Sequence, residues 1–402
     1  MIKLIRENPD KFKKGIKAKG VDLDIDKLID LDEKRRKLIN RIEILKADKN
    51  KLGEKDRDKA KGLKDEIKAL EPEFDKVDKE YNKLLNLVPN LPLDDVPAKS
   101  EIIKKHGEPK KLEKDYLSLA EKLDIIDVKR AAKVSGTRFG YLKGGAALLE
   151  FGLIQLALDV LKDFTPIIPP VMIKPESMKA MGYLDRGQDE IYYLQKDDMY
   201  LVGTSEQSIG PMHKNETINT PKRYLSFSTC FRREAGSYGK DNKGILRVHQ
   251  FDKLEMFSFV NSEDSAKEHK YILSLQEKLM QLLKIPYQVV NIGADDLGDP
   301  AAAKFDIEAW MPGQGEYRET HSASNCTDFQ ARRLNIKSKN EFVHTLNGTA
   351  FAIGRTIIAI IENYQQKDGS IKVPKVLQKY IKIKSIKWGR REKIKNLGEY
   401  FY

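Results

Sequence analysis

The sequence predicts an α+β protein in which an antiparallel sheet carries a pocket and an antiparallel coiled-coil arm precedes it. Three stretches predict this. Two apolar heptad series of similar length lie between residues 28 and 88, and Phe231 to Phe259 reads as two strands around a long loop. A late stretch, FVHTLNGTAFAIGRTIIAIIENYQ, passes from strand into apolar helix.

Taken in order, residues 1 to about 25 read as a short helical cap punctuated by Pro9 and Gly20. The first heptad series is Leu28, Leu31, Arg35, Leu38, Ile42, Leu45, Lys49 and Leu52. After a break around Gly53 to Gly62, the second is Leu63, Ile67, Leu70, Phe74, Val77, Tyr81, Leu84 and Val88. Two such seams joined by a short polar connector satisfy each other by folding back into a helical hairpin over about residues 27–88. Each helix of about 30 residues would be roughly 45 Å long. An arm this thin holds no pocket, so its lysine-rich outer faces suit gripping an elongated polyanion by counterion release. A dimerisation coiled coil with a merely solvated surface is the plainer alternative.

The linker VPNLPLDDVP, with Pro89, Pro92 and Pro97, cannot continue a helix, and a domain boundary falls near residue 100. From Leu117 the composition becomes globular. Residues 146–164 read as an apolar helix, and TPIIPPVMI follows as strand, where Pro169 and Pro170 point to a sheet edge or a subunit interface. The TSEQS segment, the hairpin and a helix from about Ser262 to Lys284 come next. Phe305 to Trp310 and YRETHSASNCTDFQARR lead to the last unit, whose strand ends near Asn347 and turns at Gly348. Its helix begins beside Gly354 and Arg355, where N–H groups and the helix dipole favour an anion.

Charged residues make up 33% of the 402, with a balance of +12, so nucleic acid is the first candidate partner. Two cysteines, Cys230 and Cys326, build neither a disulfide framework nor a zinc site and suit a reducing compartment. The chain shows no apolar run of membrane-spanning length and no secretory apolar region at its start, which predicts a soluble cytoplasmic protein.

In the hairpin the incoming strand is expected to present Arg232 and Glu234 on one face, and the outgoing strand brings Val248, Phe251 and Glu255. The loop between has Gly236, Gly239 and Gly244 for freedom and Lys240, Lys243 and Arg247 for charge. An arginine, a stackable aromatic and two carboxylates converging on one sheet face can hold a nucleotide beside a small ammonium-bearing substrate.

With these residues read, the chain resembles the seryl-tRNA synthetases, class II aminoacyl-tRNA synthetases, over nearly its whole length. The stretches that carry the resemblance are IRENPD, LDEKRRKL, the hairpin arm, VPN, AAKVSGTRF, TSEQ, CFRREAGSYGKDNKGILRVHQFDKLEMF, YRETHSASNCTDFQARR and HTLNGTAFAIGRTIIAIIENYQ, in the family's order. The resemblance implies a sheet flanked by helices, a homodimer, a tRNA-binding domain over residues 1–100 and a catalytic domain over 101–402. It implies that Arg232, Glu234, Glu255 and Arg355 are catalytic. Arg232, Arg233, Glu234, Val248, Phe251, Glu319, Thr320, His321, Ser322 and Arg355 would bind ATP, with Phe251 stacking on adenine. Thr204, Ser205, Glu206, Arg232, Glu255 and Thr349 would bind L-serine, and Glu319 and Ser322 would hold Mg²⁺. The implied partners are tRNA(Ser), with tRNA(Sec) as a second candidate, and the implied reaction makes seryl-adenylate and then seryl-tRNA.

Thr349 and Ala350 stand where the family's bacterial members frequently have Ser-Gly, and Ala323 replaces a more usual cysteine or serine. Pro166 to Pro170 is a variant of the first class motif. The basic tail IKIKSIKWGRREKIKNLGEYFY fits no pattern. Two other readings compete: a paralogue that loads a carrier protein, which would not need the long arm, and one that only binds tRNA, which would not need Arg232, Glu234, Glu255 and Arg355.

Overall fold

The computed structural model describes residues 1–111, 114–186, 188–235 and 243–388. The expected loop residues Gly236, Gly239 and Lys240, and the tail from residue 389, lie outside the described residues.

Two short helices, α1 (Ile2–Glu7) and α2 (Pro9–Ala18), open the chain. Pro9 starts α2, where its missing N–H costs nothing. The arm follows as α3 (Ile25–Lys51) and α4 (Arg57–Leu87), 27 and 31 residues long, hence about 40 and 47 Å. Asp24 caps α3 by accepting the Lys27 N–H at 2.9 Å. Leu28 and Leu31 are buried with Tyr81, and Ile42 and Leu45 with Ile67, so the two heptad series do meet. Arg35 occupies a seam position because Asp78 faces it at 2.5 Å and the Tyr81 ring lies 5.1 Å from its guanidinium. The connector is shorter than the expected break: α4 begins at Arg57, and Gly62 and Pro72 sit exposed inside it. An exposed helical glycine costs only about 1 kcal/mol, which the continuing seam outweighs.

The segment after α4 is stitched down rather than a free spacer. Asn90 is buried, and its side-chain amide donates to the carbonyls of Pro300 and Cys326, each at 2.8 Å. Lys19, just past α2, donates to the carbonyls of Gly298 (2.8 Å) and Ala301 (2.7 Å).

Eight strands then form one sheet: β1 (Glu101–His106), β2 (Thr165–Ile167), β3 (Lys222–Phe231), β4 (Gln250–Val260), β5 (Tyr287–Asn291), β6 (Ala303–Met311), β7 (Glu316–Asn325) and β8 (His344–Ala352). Their spatial order is β1-β5-β6-β7-β8-β4-β3-β2. Neighbours are antiparallel except at one edge, where β2 runs parallel to β3. The short β2 takes a sheet edge, one of the two placements to which Pro169 and Pro170, just past its end, pointed. Composition does not announce β1, an exposed, lysine-bearing strand suited to the other edge.

Helices α5 (Gly145–Val160), α6 (Glu206–Ile209), α7 (Ser265–Leu283), α8 (Phe329–Leu334) and α9 (Ile353–Asn363) complete the frame used below. Leu153 of α5, Ile272 and Leu279 of α7 and Ile357 of α9 share one core cluster with Met256 and Phe351 of the sheet. Gly348 does not turn the chain as expected. Strand β8 runs through it to Ala352, and the glycine is required because a side chain there would collide with Ile272 of α7.

Candidate active site

Strand β4 supplies the floor. Alternation puts Phe251, Lys253 and Glu255 on one face, opposite Cys230, Ser228 and Ser226 of β3. On the other side, Glu255 is in register with Thr349 of β8. Arg232 and Glu234 reach the same place by a different route from the one expected. Strand β3 ends at Phe231, Arg232 keeps one further pairing through its N–H to His249 O (3.0 Å), and Glu234 has left the strand with φ 51°. Gly244 marks the return: at φ 80° it lies against Tyr116, whose hydroxyl accepts the next N–H, that of Ile245, at 2.9 Å.

A cavity of about 70 Å³ is lined by Arg232, Glu234, Val248, Phe251, Glu319, Thr320, Ser322, Thr349 and Arg355 together with Lys253 and Arg247. The Arg232 guanidinium lies 5.4 Å from the Phe251 ring, and its Nε donates to Gly203 O at 3.2 Å. Arg355, in the first turn of α9, donates to Glu319 O at 3.0 Å and lies 3.3 Å from the Glu319 carboxylate. Burial works to raise the Glu319 carboxyl, but Arg355, Lys304 and Arg232 prevail and hold it below its usual range. The result is an anion at the mouth of a cationic cavity.

Beyond Arg232 the Gly203–Glu206 turn brings a second set of polar groups. Thr204, Ser205 and Glu206 are buried, and the hydroxyls of Thr204 and Ser205, like that of Ser226, have no hydrogen-bond partner among the described residues. Buried hydroxyls of this kind are satisfied by ordered water or by a polar ligand. Glu206 accepts from the Tyr183 hydroxyl. Its carboxyl is pushed up to about 7, first by burial and then by Glu255, against the opposing pull of Tyr183, Lys253 and Arg232. Glu255 pairs with Lys253 at 2.5 Å, and Thr349 Oγ1 donates to it at 3.4 Å. The Ser322 and Thr349 hydroxyls are 3.5 Å apart.

Thr204, Ser205, Glu206 and Glu255 lie beyond the lining of this cavity, at the amino-acid end, and two of the expected ATP-binding residues also lie off it. Arg233 turns away, donating from Nε to Ile191 O at 3.0 Å with its guanidinium 4.6 Å from the Tyr192 ring. His321 is buried beside Phe351 with Nδ1 2.8 Å from Thr320 Oγ1, and burial pushes it down to about 4, so the imidazole is neutral. Alternation along β7 puts Thr320 and Ser322 on the cavity side and His321 on the other, and the one-residue slip against Ile307 and Glu308 of β6 brings Glu319 to the cavity beside Thr320. Lys253 and Tyr183 are the residues sequence reasoning missed. Alternation between Phe251 and Glu255 pointed to Lys253, whereas nothing in the sequence linked Tyr183 to Glu206.

Among the described residues no group of three or more His, Cys, Asp or Glu could hold a metal ion. Glu319 and Ser322 therefore offer one charged carboxylate and one hydroxyl at the cavity. That donor set fits Mg²⁺ taking most of its octahedral shell from phosphates and water.

Comparison with known proteins supports the same assignment over both parts of the chain. The family described as "tRNA synthetase class II core domain (G, H, P, S and T)" matches residues 192–364, and "Seryl-tRNA synthetase N-terminal domain" matches residues 2–92. The serine--tRNA ligase of Acidothermus cellulolyticus is 44% identical over 408 residues, covering 94% of this chain and 97% of its own. The crystal structure of seryl-tRNA synthetase from Pyrococcus horikoshii complexed with ATP superposes with a TM-score of 0.88 at 39% identity, covering 96% of this chain and 99% of that one. The cytoplasmic serine-tRNA ligase of Naegleria fowleri in complex with AMP gives a TM-score of 0.88 at 33% identity, covering 97% and 99%. With family models matched over both its arm-bearing and its sheet-bearing parts, and relatives matched over nearly its whole length, the chain belongs to the seryl-tRNA synthetase family.

Proposed function

We infer that this chain activates L-serine with ATP and transfers it to tRNA. The observation that carries the reading is the meeting of two sets of groups on one sheet face. Arg232, Phe251 and Arg355 line the nucleotide end, and Glu206, Glu255 and the unpartnered Thr204 hydroxyl form the amino-acid end.

In the first step a serine carboxylate oxygen attacks the α-phosphorus of ATP, the bond to the bridging oxygen breaks, and pyrophosphate leaves. Neither a protein nucleophile nor a strong base is required. The chain has to align two anions and neutralise the charge that develops between them. Arg232 does so at the α-phosphate and the serine carboxylate, with Phe251 stacked on adenine and Arg355 on the far side of the base and on the γ-phosphate. Glu234 and Val248 line the base. Glu319 and Ser322 would hold Mg²⁺, which would add neutralisation on the phosphates. Glu206, Glu255, Thr204, Ser205 and Thr349 share the serine ammonium and hydroxyl between them. Alanine and glycine keep the ammonium but leave the partners of the hydroxyl unpaired, a penalty of about 1–3 kcal/mol per group. In the second step the terminal ribose hydroxyl of tRNA attacks the adenylate carbonyl and AMP leaves.

Residues 1–100 form the tRNA-gripping unit in this reading and 101–402 the catalytic one. The acceptor is tRNA(Ser), with tRNA(Sec) as a second candidate, and the protein acts as a cytoplasmic homodimer. Support for the dimer comes from large apolar side chains left exposed, Ile168 (82% exposed) just past β2 and Phe151 and Leu148 on α5. Support for the cytoplasm comes from two buried free cysteines; among the described residues no helix is long and apolar enough to cross a membrane. The arm argues against a carrier-protein acceptor, which gives two long helices nothing to hold. The test is charging: labelled serine should become acid-precipitable on a tRNA(Ser) transcript and be released by mild base, with a tRNA(Sec) transcript assayed beside it to decide the second candidate, and no label on tRNA(Ser) would refute the acceptor assignment.

A further inference from the structure

Alternate residues of β4 run Phe251, Lys253, Glu255 along one face. The first lies at the nucleotide end and the last at the amino-acid end, so Lys253 stands where the two substrates meet. Its side chain is only 8% exposed, and an ammonium that deeply buried demands a partner. The partner is the Glu255 carboxylate at 2.5 Å, which also receives the Thr349 hydroxyl. The flanking strands contribute no competing charge at these positions: Ser226 and Ser228 face Glu255 and Lys253 from β3, and Ala352 faces Lys253 from β8.

Resting on the reading of this cavity as a serine-activating site, we propose that Lys253 is a positioning residue that fixes the Glu255 carboxylate at the amino-acid end and so sets the affinity for serine. Lys253 also acts on the other glutamate. The groups acting on Glu206 are the Tyr183 hydroxyl, the Glu255 carboxylate, the Lys253 ammonium and the Arg232 guanidinium, with the Cys326 thiol alongside. Taking away the lysine leaves two buried carboxylates with one cation fewer between them. Glu206 then holds its proton to a higher pH than it does now.

ATP–pyrophosphate exchange on the full chain separates this role from a structural one or a phosphate-binding one. Lys253→Met should raise the serine KM by about 10- to 100-fold at pH 7, the size expected for a hydrogen bond to a charged group. It should change the ATP KM by no more than about twofold. The pH at which serine kcat/KM reaches half its plateau should move upward, and Lys253→Arg should recover part of the serine KM. An unchanged serine KM accompanied by a lower kcat or a raised ATP KM overturns the proposal, because the ammonium would then serve the phosphates. If Lys253→Met loses its stabilisation by ATP in thermal unfolding, Lys253→Gln takes its place, and equal serine KM in Gln, Arg and the unaltered chain overturns the proposal equally. Exchange by the unaltered chain is the control: its absence sinks the serine-activation reading itself rather than the role of Lys253.

Discussion

Burial pushes the Glu206 carboxyl upward and Glu255 pushes it further, while Tyr183, Lys253 and Arg232 pull back; the balance stands at about 7. An ammonium ligand needs the charged carboxylate, so serine use in pyrophosphate exchange should rise with pH through about 7. The Tyr183 hydroxyl donates to Glu206 and so favours the charged form. Tyr183→Phe should therefore move the midpoint of that rise to higher pH. A midpoint that stays or falls would show that Glu206 does not govern the profile. This residue pair also marks the limit of what the sequence reveals. Arg232, Phe251 and Glu255 were legible because strand alternation and residue chemistry agree on them. Tyr183 reaches Glu206 across a loop, while Arg233 and His321, neighbours of cavity residues in sequence, are carried off by a turn and by strand alternation.

At the scale of elements, periodicity worked best where packing repeats. The arm's seams were readable from heptads because Leu28, Leu31, Ile42, Leu45, Ile67 and Tyr81 bury in register. Its tip was misjudged because Gly62 reads as a breaker yet sits exposed in a helix held by its other face. Gly348 was misjudged for a related reason: the glycine answers to the approach of α7, a tertiary contact, and not to a local turn. Replacing residues 37–76 by a short turn spares the Arg35–Asp78 pair and the Leu28, Leu31 and Tyr81 cluster at the base. Exchange should then stay within about twofold while tRNA charging falls by two orders of magnitude or more, roughly the loss expected when several phosphate contacts go together. Equal loss of both activities would contradict the division of labour between arm and sheet.

Across the whole molecule, the arm's base and the amino-acid pocket share one set of contacts. Lys19 and Asn90 hold the backbone of Gly298, Pro300 and Ala301, and Arg333 of α8 donates to Asn86 O at 3.1 Å while it lies 3.4 Å from Asp185. Pro300 and Phe329 pack against Gly182, the residue before Tyr183. The proline-rich composition of the linker gave its stiffness but not this docking, since Asn90 and Lys19 look like ordinary polar residues until the fold buries them. All of this arrangement serves a single claim, that the cavity on β4 joins serine to AMP. The most direct measurement is ATP–pyrophosphate exchange by the purified chain with each amino acid in turn, in the presence of Mg²⁺ and without tRNA. The account predicts exchange with serine and at least tenfold less, about 1.4 kcal/mol, with alanine, glycine or threonine; no exchange with serine, or equal exchange with one of the three, would contradict it.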